Sequence, residues 1–290
     1  MSELHPAARR QIEGHLATRI IASEPLGGGS IHQARRLRTS GGSFFVKYHR
    51  APQATALLKS EVAGLEHLTA ARTNLGIPRI LLHGAAGDQY FLLLEYFAER
   101  PASPLFWERL GRGLAQVHRQ TAAQFGHYPD NFIGSLAQSN RSHARWCDFY
   151  WFERIEPQLH LARDKGHLGK AELDLFGGFR RALPGLFPEE APALIHGDLW
   201  SGNFLVGPND LPVLIDPAVA YAHREMDWAM SRLFGGFAPR FYAAYQEAWP
   251  PAPGLADRLE YYQLYYLLVH LNLFGWSYRQ AVLRIVRAFA

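Results

Sequence analysis

Residues 193–216, ALIHGDLWSGNFLVGPNDLPVLID, constrain this chain more than any other stretch. Ala193-Leu194-Ile195 is short, apolar and β-prone, which predicts a buried strand. Gly197 permits a sharp turn after it, so Asp198 falls in a loop. Phe204-Leu205-Val206 and Pro212-Val213-Leu214-Ile215 read as two strands around a tight turn at Gly207-Pro208-Asn209-Asp210. Such a hairpin carries Asn203 at the start of one strand and Asp216 at the end of the other. Two oxygen-bearing side chains distant in sequence could then share one cation.

The order of groups suggests a chemistry. Phosphoryl transfer from ATP needs a carboxylate to accept the proton of the attacking hydroxyl. It also needs an amide and a second carboxylate to hold Mg²⁺ near the γ-phosphate. Asp198, Asn203 and Asp216 supply these in that order, and Asp198 and Asn203 have the D-x-x-x-x-N spacing of a kinase catalytic loop. His196 is expected to hold the loop by hydrogen bonding. No His/Cys cluster has the spacing of a zinc site.

The first third of the chain reads as a β-rich, nucleotide-binding region. Pro6 to Leu16 is a short helix. Arg19 to Leu26, Ala34 to Leu37 and Phe44 to Tyr48 are strands, the last two joined by a turn at Ser40-Gly41-Gly42-Ser43. Gly27, Gly28, Gly29 and Ser30 could let the backbone approach a phosphate, although a flexible hairpin also accounts for a glycine run. Lys47 on the third strand matches the lysine that binds the α- and β-phosphates in kinases. The other common phosphate loop, G-x-x-x-x-G-K-[ST], is absent. Pro52 to Ala70 has helical spacing in Val62, Leu65 and Leu68. Glu61 on that helix pairs with Lys47 or is solvated. Ile80-Leu81-Leu82 and Tyr90 to Leu94 read as buried central strands around a turn at residues 85–88. Glu95, Tyr96 and Phe97 then form a hinge against which adenine would lie, packed among residues such as Leu26, Val46 and Phe97.

Beyond Pro101 the pattern becomes mostly helical. A helix is expected from Ser103, its N-cap, to Thr121. Gly126 to Asn140 reads as a loop, either a solvated connector or part of the acceptor side. Trp146, Asp148 and Trp151 have helical spacing and read as core.

With 290 residues and 48% hydrophobic content the chain can bury a large core. Cys147 is the only cysteine, so no intrachain disulfide forms, and a cytoplasmic location is expected. The N-terminus lacks the apolar core of a signal peptide. The late apolar run at residues 261–276 contains Gln263, His270 and Asn272 and reads as a buried helix, not a membrane span. The formal charge is +4, but 30 basic residues face 26 acidic ones without a basic run. Nucleic acid is therefore not expected as a partner. With no coiled coil in the pattern, a monomer is expected.

The chain resembles the fructosamine kinase (ketosamine 3-kinase) family, which is related to aminoglycoside and choline phosphotransferases. The broad group is carried by residues 196–203, HGDLWSGN, and by Ile215-Asp216-Pro217. The narrower family is carried by residues 130–140, by 216–227 with 233–237, and by 270–275. The resemblance implies an α+β, bilobal protein-kinase-like fold. A small N-terminal lobe with an antiparallel sheet (1–97) would bind ATP. A larger, mainly helical lobe (98–290) would carry catalysis and the acceptor.

It further implies Asp198 as catalytic base, Asn203 and Asp216 as Mg²⁺ ligands, and Lys47 with Glu61 as the phosphate-positioning pair. Gly27 to Ser30 would cover the phosphates. Asp130, Gln138 or Asn140 would serve the acceptor side. Asp227 would brace the catalytic loop, or else be a first-turn helix carboxylate. The implied reaction phosphorylates the 3-hydroxyl of a ketosamine, free or on protein lysines. The product then sheds its sugar, which repairs the glycated amine. A kinase for another alcohol, such as an aminoglycoside, choline or a sugar, and a non-catalytic nucleotide-binding module remain alternatives. Ala137 stands where the family usually has Pro, Ala222 where it often has Gly, and Ser30 where some members have Cys.

Overall fold

In a computed structural model, residues 3–27, 33–50, 52–126 and 128–289 are described, with the side chains of 52–54 left aside. Gly28, Gly29 and Ser30 lie outside the described residues. The chain divides into two compact units. The first is Met1–Phe106 with Phe204–Asp216, and the second is Trp107–Asn203 with Pro217–Ala290.

The first unit is built on a five-stranded antiparallel sheet. In chain order come α1 (Pro6–Leu16), β1 (Ile20–Leu26), β2 (Gln33–Thr39), β3 (Gly42–His49), α2 (Pro52–Ala70), β4 (Ile80–Ala86) and β5 (Gln89–Glu95). The strand order is β1-β2-β3-β5-β4. Strand alternation sends successive side chains to opposite faces. On one face Leu37, Val46, Tyr48, Phe91 and Leu93 pack against Ala8 and Ile12 of α1. On the other, Tyr90, Leu92 and Leu94 pack against Leu58, Val62 and Leu65 of α2. β5 is therefore buried from Gln89 to Leu94.

Two sequence expectations need correction here. β4 is an edge strand, half-exposed over most of its length, because it pairs only with β5. Its apolar run is divided between the faces, with Leu81 and Leu82 against the α1 cluster and Ile80 against the α2 cluster, and does not mark a central position. Val46 is fully buried on the α1 face, opposite to its neighbour Lys47. It is therefore not available to a base on the lysine's side. Phe45 shares that side and packs at the margin of the α2 cluster.

The second unit is mainly helical. It contains α3 (Pro104–His118, whose first turn belongs to the first unit), β6 (Asn131–Ile133), β7 (Leu136–Gln138) and α4 (Trp146–Phe149). A π-helix (Tyr150–Ile155) runs on into α5 (Glu156–Asp164), followed by α6 (Lys170–Leu186) and β8 (Ala193–Ile195). The hairpin β9 (Phe204–Val206) and β10 (Pro212–Leu214) belongs to the first unit. β11 (Ala220–Ala222), α7 (Glu225–Leu233), α8 (Pro239–Ala248), α9 (Leu255–Phe274) and α10 (Arg279–Arg287) complete the second. Ser103 Oγ accepts from Phe106 N (3.3 Å), the N-cap expected of α3. The helix ends at His118, and Thr121 bridges to Ala193 instead. Trp146 and Trp151 are buried, as expected of core.

Residues 126–140 are not a plain loop, because they contain the β6–β7 hairpin. Two of its three buried positions, Asn131 and Gln138, hold amides, and the third is Ile133. Gln138 Nε2 donates to Asn131 Oδ1 (2.7 Å), and Asn131 Nδ2 donates to Val219 O (2.7 Å). Polar composition hid a buried hairpin.

α3 and α8 cross closely at Gly111. A Cβ there would lie 2.3 Å from Phe241 O and 2.9 Å from Tyr245 N. Gly111→Ala should lower the urea midpoint. Overpacking against backbone costs about 1–3 kcal/mol, more than the ~1 kcal/mol of helix propensity gained. A raised midpoint would show that the helices can part at no cost.

Candidate active site

In the first unit β3 presents Lys47, whose register places it opposite Leu92 of β5 and Ala34 of β2. Its Nζ donates to Glu61 Oε1 of α2 (3.0 Å) and forms a second ion pair with Asp216 Oδ1. Lys47 and Glu61 are largely buried, whereas the Asp216 side chain is 41% exposed. Burial works against the lysine's charge, but Asp216 and Glu61 hold its pKa above the usual value. Burial pushes Glu61 up to about 7, against the pull of Lys47 and with the repulsion of Asp216. One buried cation thus serves two carboxylates, of which Asp216 is the more exposed. Asp216 has φ 54°, a left-handed conformation that Asp tolerates better than most residues. It follows the β9–β10 hairpin, where Phe204 pairs with Leu214.

Gly27 follows β1 and is exposed, and a Cβ on it would meet nothing within 4 Å. Glu95, Tyr96 and Phe97 line a cleft of about 650 Å³ together with Gly76, Arg36 and the hairpin turn at Asn209. The Arg36 guanidinium lies over the Tyr96 ring (4.8 Å). Lys47, Glu61 and Asp216 do not line this cleft. The charged trio is therefore drawn together, and the hinge residues form a separate surface.

In the second unit β8 delivers the chain to His196, Gly197 and Asp198. Gly197 has φ 84°, and a Cβ there would fall 2.0 Å from Ala218 O. Only glycine fits. Asp227, in the first turn of α7, is fully buried and turned toward this loop. Its carboxylate accepts from His196 N (2.7 Å), Gly197 N (2.9 Å) and, as ring tautomer allows, His118 Nε2 (3.1 Å). His118 Nδ1 in turn meets Tyr245 OH (2.6 Å). The His196 side chain is also buried, with Nδ1 3.3 Å from Asp198 N. Tyr266 OH of α9 donates to Gly197 O (3.0 Å).

Asn203 closes the loop. Its Nδ2 donates to Asp198 O (2.8 Å) and to Asp198 Oδ2 (3.0 Å), while its backbone N donates to Trp200 O (3.0 Å). A Cβ at Gly202 would meet the far edge of the Trp200 ring at 2.3 Å, so the exposed indole would have to shift. Of the three acceptor-side residues, Gln138 and Asn140 are bound into the fold. Gln138 Oε1 accepts from Tyr265 OH (2.5 Å), and Asn140 Oδ1 accepts from Arg154 (2.6 Å). Asp130 is exposed, and its Oδ1 accepts from Asn140 N (2.7 Å).

The fructosamine kinase family model matches residues 5–289. The chain belongs to the fructosamine kinase family. A proposed ketoamine kinase of Lactiplantibacillus plantarum is 40% identical, over 94% of this chain and 95% of its own. Ketosamine-3-kinase of Mus musculus is 34% identical, over 90% and 92% of the two chains. The structure of a proposed fructosamine-3-kinase from Thermobifida fusca superposes with a TM-score of 0.86 at 35% identity, covering 97% of this chain and 98% of that one. A spectinomycin phosphotransferase solved with ADP shares only the fold, with a TM-score of 0.60 at 14% identity and coverage of 100% and 94%. The α+β fold of this family member is therefore that of the protein-kinase-like phosphotransferases.

Sequence reasoning missed His118, Tyr245 and Tyr266. A histidine near a helix end and tyrosines in an apolar run carry no motif, and only long-range packing reveals their partners. Among the described residues, no helix is long and apolar enough to cross a membrane.

Proposed function

We propose that this chain is an ATP-dependent kinase that phosphorylates the 3-hydroxyl of ketosamines, free or attached to protein lysines, and so initiates deglycation. The observation that carries the reading is the near full-length match to the mouse ketosamine-3-kinase. The Asp198–Asn203 loop and the Lys47–Glu61–Asp216 cluster support it.

Asp198 accepts the proton as the substrate oxygen attacks the γ-phosphorus. The bond from that phosphorus to the bridging oxygen breaks, and the electron pair leaves with ADP. Lys47, oriented by Glu61, binds the α- and β-phosphates, and Gly27 to Ser30 cover them. Glu95, Tyr96 and Phe97 provide the adenine side. Asn203 and Asp216 would hold Mg²⁺. Asp216 is an exposed hard oxygen donor, and the Nδ2 of Asn203 is committed to Asp198, which leaves Oδ1 for the ion. When bound, the ion neutralises charge on the phosphates. His196 and Asp227 support the loop. Asp130, Gln138 and Asn140 serve the acceptor side, the latter two by shaping the β6–β7 hairpin. Residues 1–97 form the nucleotide-binding domain, and 98–290 carry catalysis and the acceptor. The protein acts as a cytoplasmic monomer, without nucleic-acid or membrane partners.

The test is ATP consumption by the purified protein with Mg²⁺ and an acceptor panel of ribulosyl-lysine, fructosyl-lysine, choline and kanamycin. Turnover is expected with a ketosamine and not with the other two. Turnover of choline or kanamycin alone would keep a kinase and discard deglycation, and ATP binding without any turnover would leave only a nucleotide-binding module.

A further inference from the structure

The second unit contains a pocket of about 180 Å³ under the β6–β7 hairpin, lined by two of the residues placed on the acceptor side, Asp130 and Gln138. Its floor is polar: Gln138, Glu153, Gln158 and Tyr265 line it and are all buried. Asp130 stands on its exposed rim. A space this small holds a functional group and a few methylenes, not a nucleotide.

Glu153 gives the pocket its character. It lies on the π-helix, an irregularity that recurs at functional sites. Only 4% of the residue is exposed. Oε1 accepts from His143 Nε2 (2.8 Å) and lies 3.4 Å from Nε of the exposed Arg141. Oε2 is buried and makes no hydrogen bond of regular geometry among the described residues, and although burial opposes the charge, the Ser139 hydroxyl on the pocket wall, His143 and Arg141 hold the carboxyl below its usual pKa. A buried carboxylate oxygen left unmatched costs free energy that a donor would recover.

The adjacent cation does not supply that donor. Arg154 directs its bonds to neutral oxygens: Ser139 O (2.6 Å), Glu153 O (2.9 Å) and Asn140 Oδ1 (2.6 Å). It secures the hairpin wall and is not among the residues lining the pocket. The other fixed acceptors are also spoken for, since Gln138 Oε1 takes Tyr265 OH and Gln158 Oε1 takes Asn272 Nδ2. The chemistry on offer is thus two carboxylates, one at the floor and one at the rim.

The pocket is tied to the catalytic loop. Tyr265 lines it, and the next residue on α9, Tyr266, bonds Gly197 O beside Asp198. Gln138 also reaches Ala218 O (3.5 Å), and Ala218 N bonds His196 O (2.9 Å).

We infer that this pocket is a subsite for an ammonium group on the amine portion of the acceptor, bound by Glu153 and Asp130 while the sugar hydroxyl lies at Asp198. The inference rests on the ketosamine reading above. It adds that the enzyme selects the amine by its charge.

Two acceptors separate charge from shape: fructosyl-lysine, and an ether analogue in which oxygen replaces the linking nitrogen and the amine end is uncharged. Glu153→Gln should raise KM for fructosyl-lysine about tenfold more than KM for the ether, as expected for loss of a charge-assisted contact. The change should fall on KM and not on kcat. Asp130→Asn, on the exposed rim and keeping an oxygen for Asn140 N, should act in the same direction. Equal effects on both acceptors, or none in either variant, would overturn the inference. If the wild type phosphorylates no ketosamine, the functional reading fails by itself, and titration of the full chain with n-butylammonium decides the pocket. Saturable binding lost in Glu153→Gln sustains it, and absence of binding to the wild type refutes it.

Discussion

Asp198→Asn is expected to lower kcat about 10²- to 10⁴-fold, the range for loss of a general base, while nucleotide affinity stays within twofold of wild type. The substitution is nearly isosteric. In the native loop Asp198 Oδ2 accepts from Asn203 Nδ2 (3.0 Å). An Asn side chain keeps one oxygen for that bond, so the turn from 198 to 203 should persist. What disappears is the capacity to take a proton from the attacking hydroxyl. Single-turnover phosphate transfer to a ketosamine, measured beside equilibrium ADP binding, separates the two effects. A variant within threefold of wild-type turnover would remove Asp198 from the role of base.

The largest stability effect is expected at Asp227. Asp227→Ala strands two buried backbone donors, His196 N and Gly197 N, and takes the partner from buried His118. Each unmatched donor costs about 1–3 kcal/mol, so a total of roughly 3–5 kcal/mol is expected, in the range for breaking a buried charged pair. Catalysis should fall as well, because the same bonds fix the residues immediately before Asp198. Burial opposes the charge of Asp227, but the His118 bond, the nearby histidines and Gly197 N hold its pKa below 3.8. A carboxyl depressed on folding adds stability that is complete above the unfolded value and is lost as pH falls through the folded one. The gap in unfolding free energy between wild type and Asp227→Ala should therefore be constant above about pH 5 and narrow in stronger acid. A gap independent of pH would mean that Asp227 is not ionised in the fold.

The positions of α1 and α2, the β9–β10 hairpin and the turn at Gly197 were legible because each rests on local rules: helical spacing, strand runs and glycine at a sharp bend. The Lys47–Glu61 pair was legible as one of two outcomes, and the fold chose it by burying both ends. β4 was misplaced because an apolar run reports burial of side chains, not the number of neighbouring strands. The β6–β7 hairpin was missed because amides fill two of its three buried positions.

The sequence by itself determined the order Asp198, Asn203, Asp216, the presence of Lys47 and the family, since these depend on residue identity and spacing along the chain. Tertiary structure alone decided that Val46 faces away from Lys47, that Asp227 turns back to the loop with His118 behind it, and that Glu153 keeps one oxygen unmatched in a pocket. Those facts depend on contacts between residues far apart along the chain, 109 positions for His118 and Asp227. Such pairings are set when distant surfaces desolvate together, and no local period along the chain encodes which surfaces those will be.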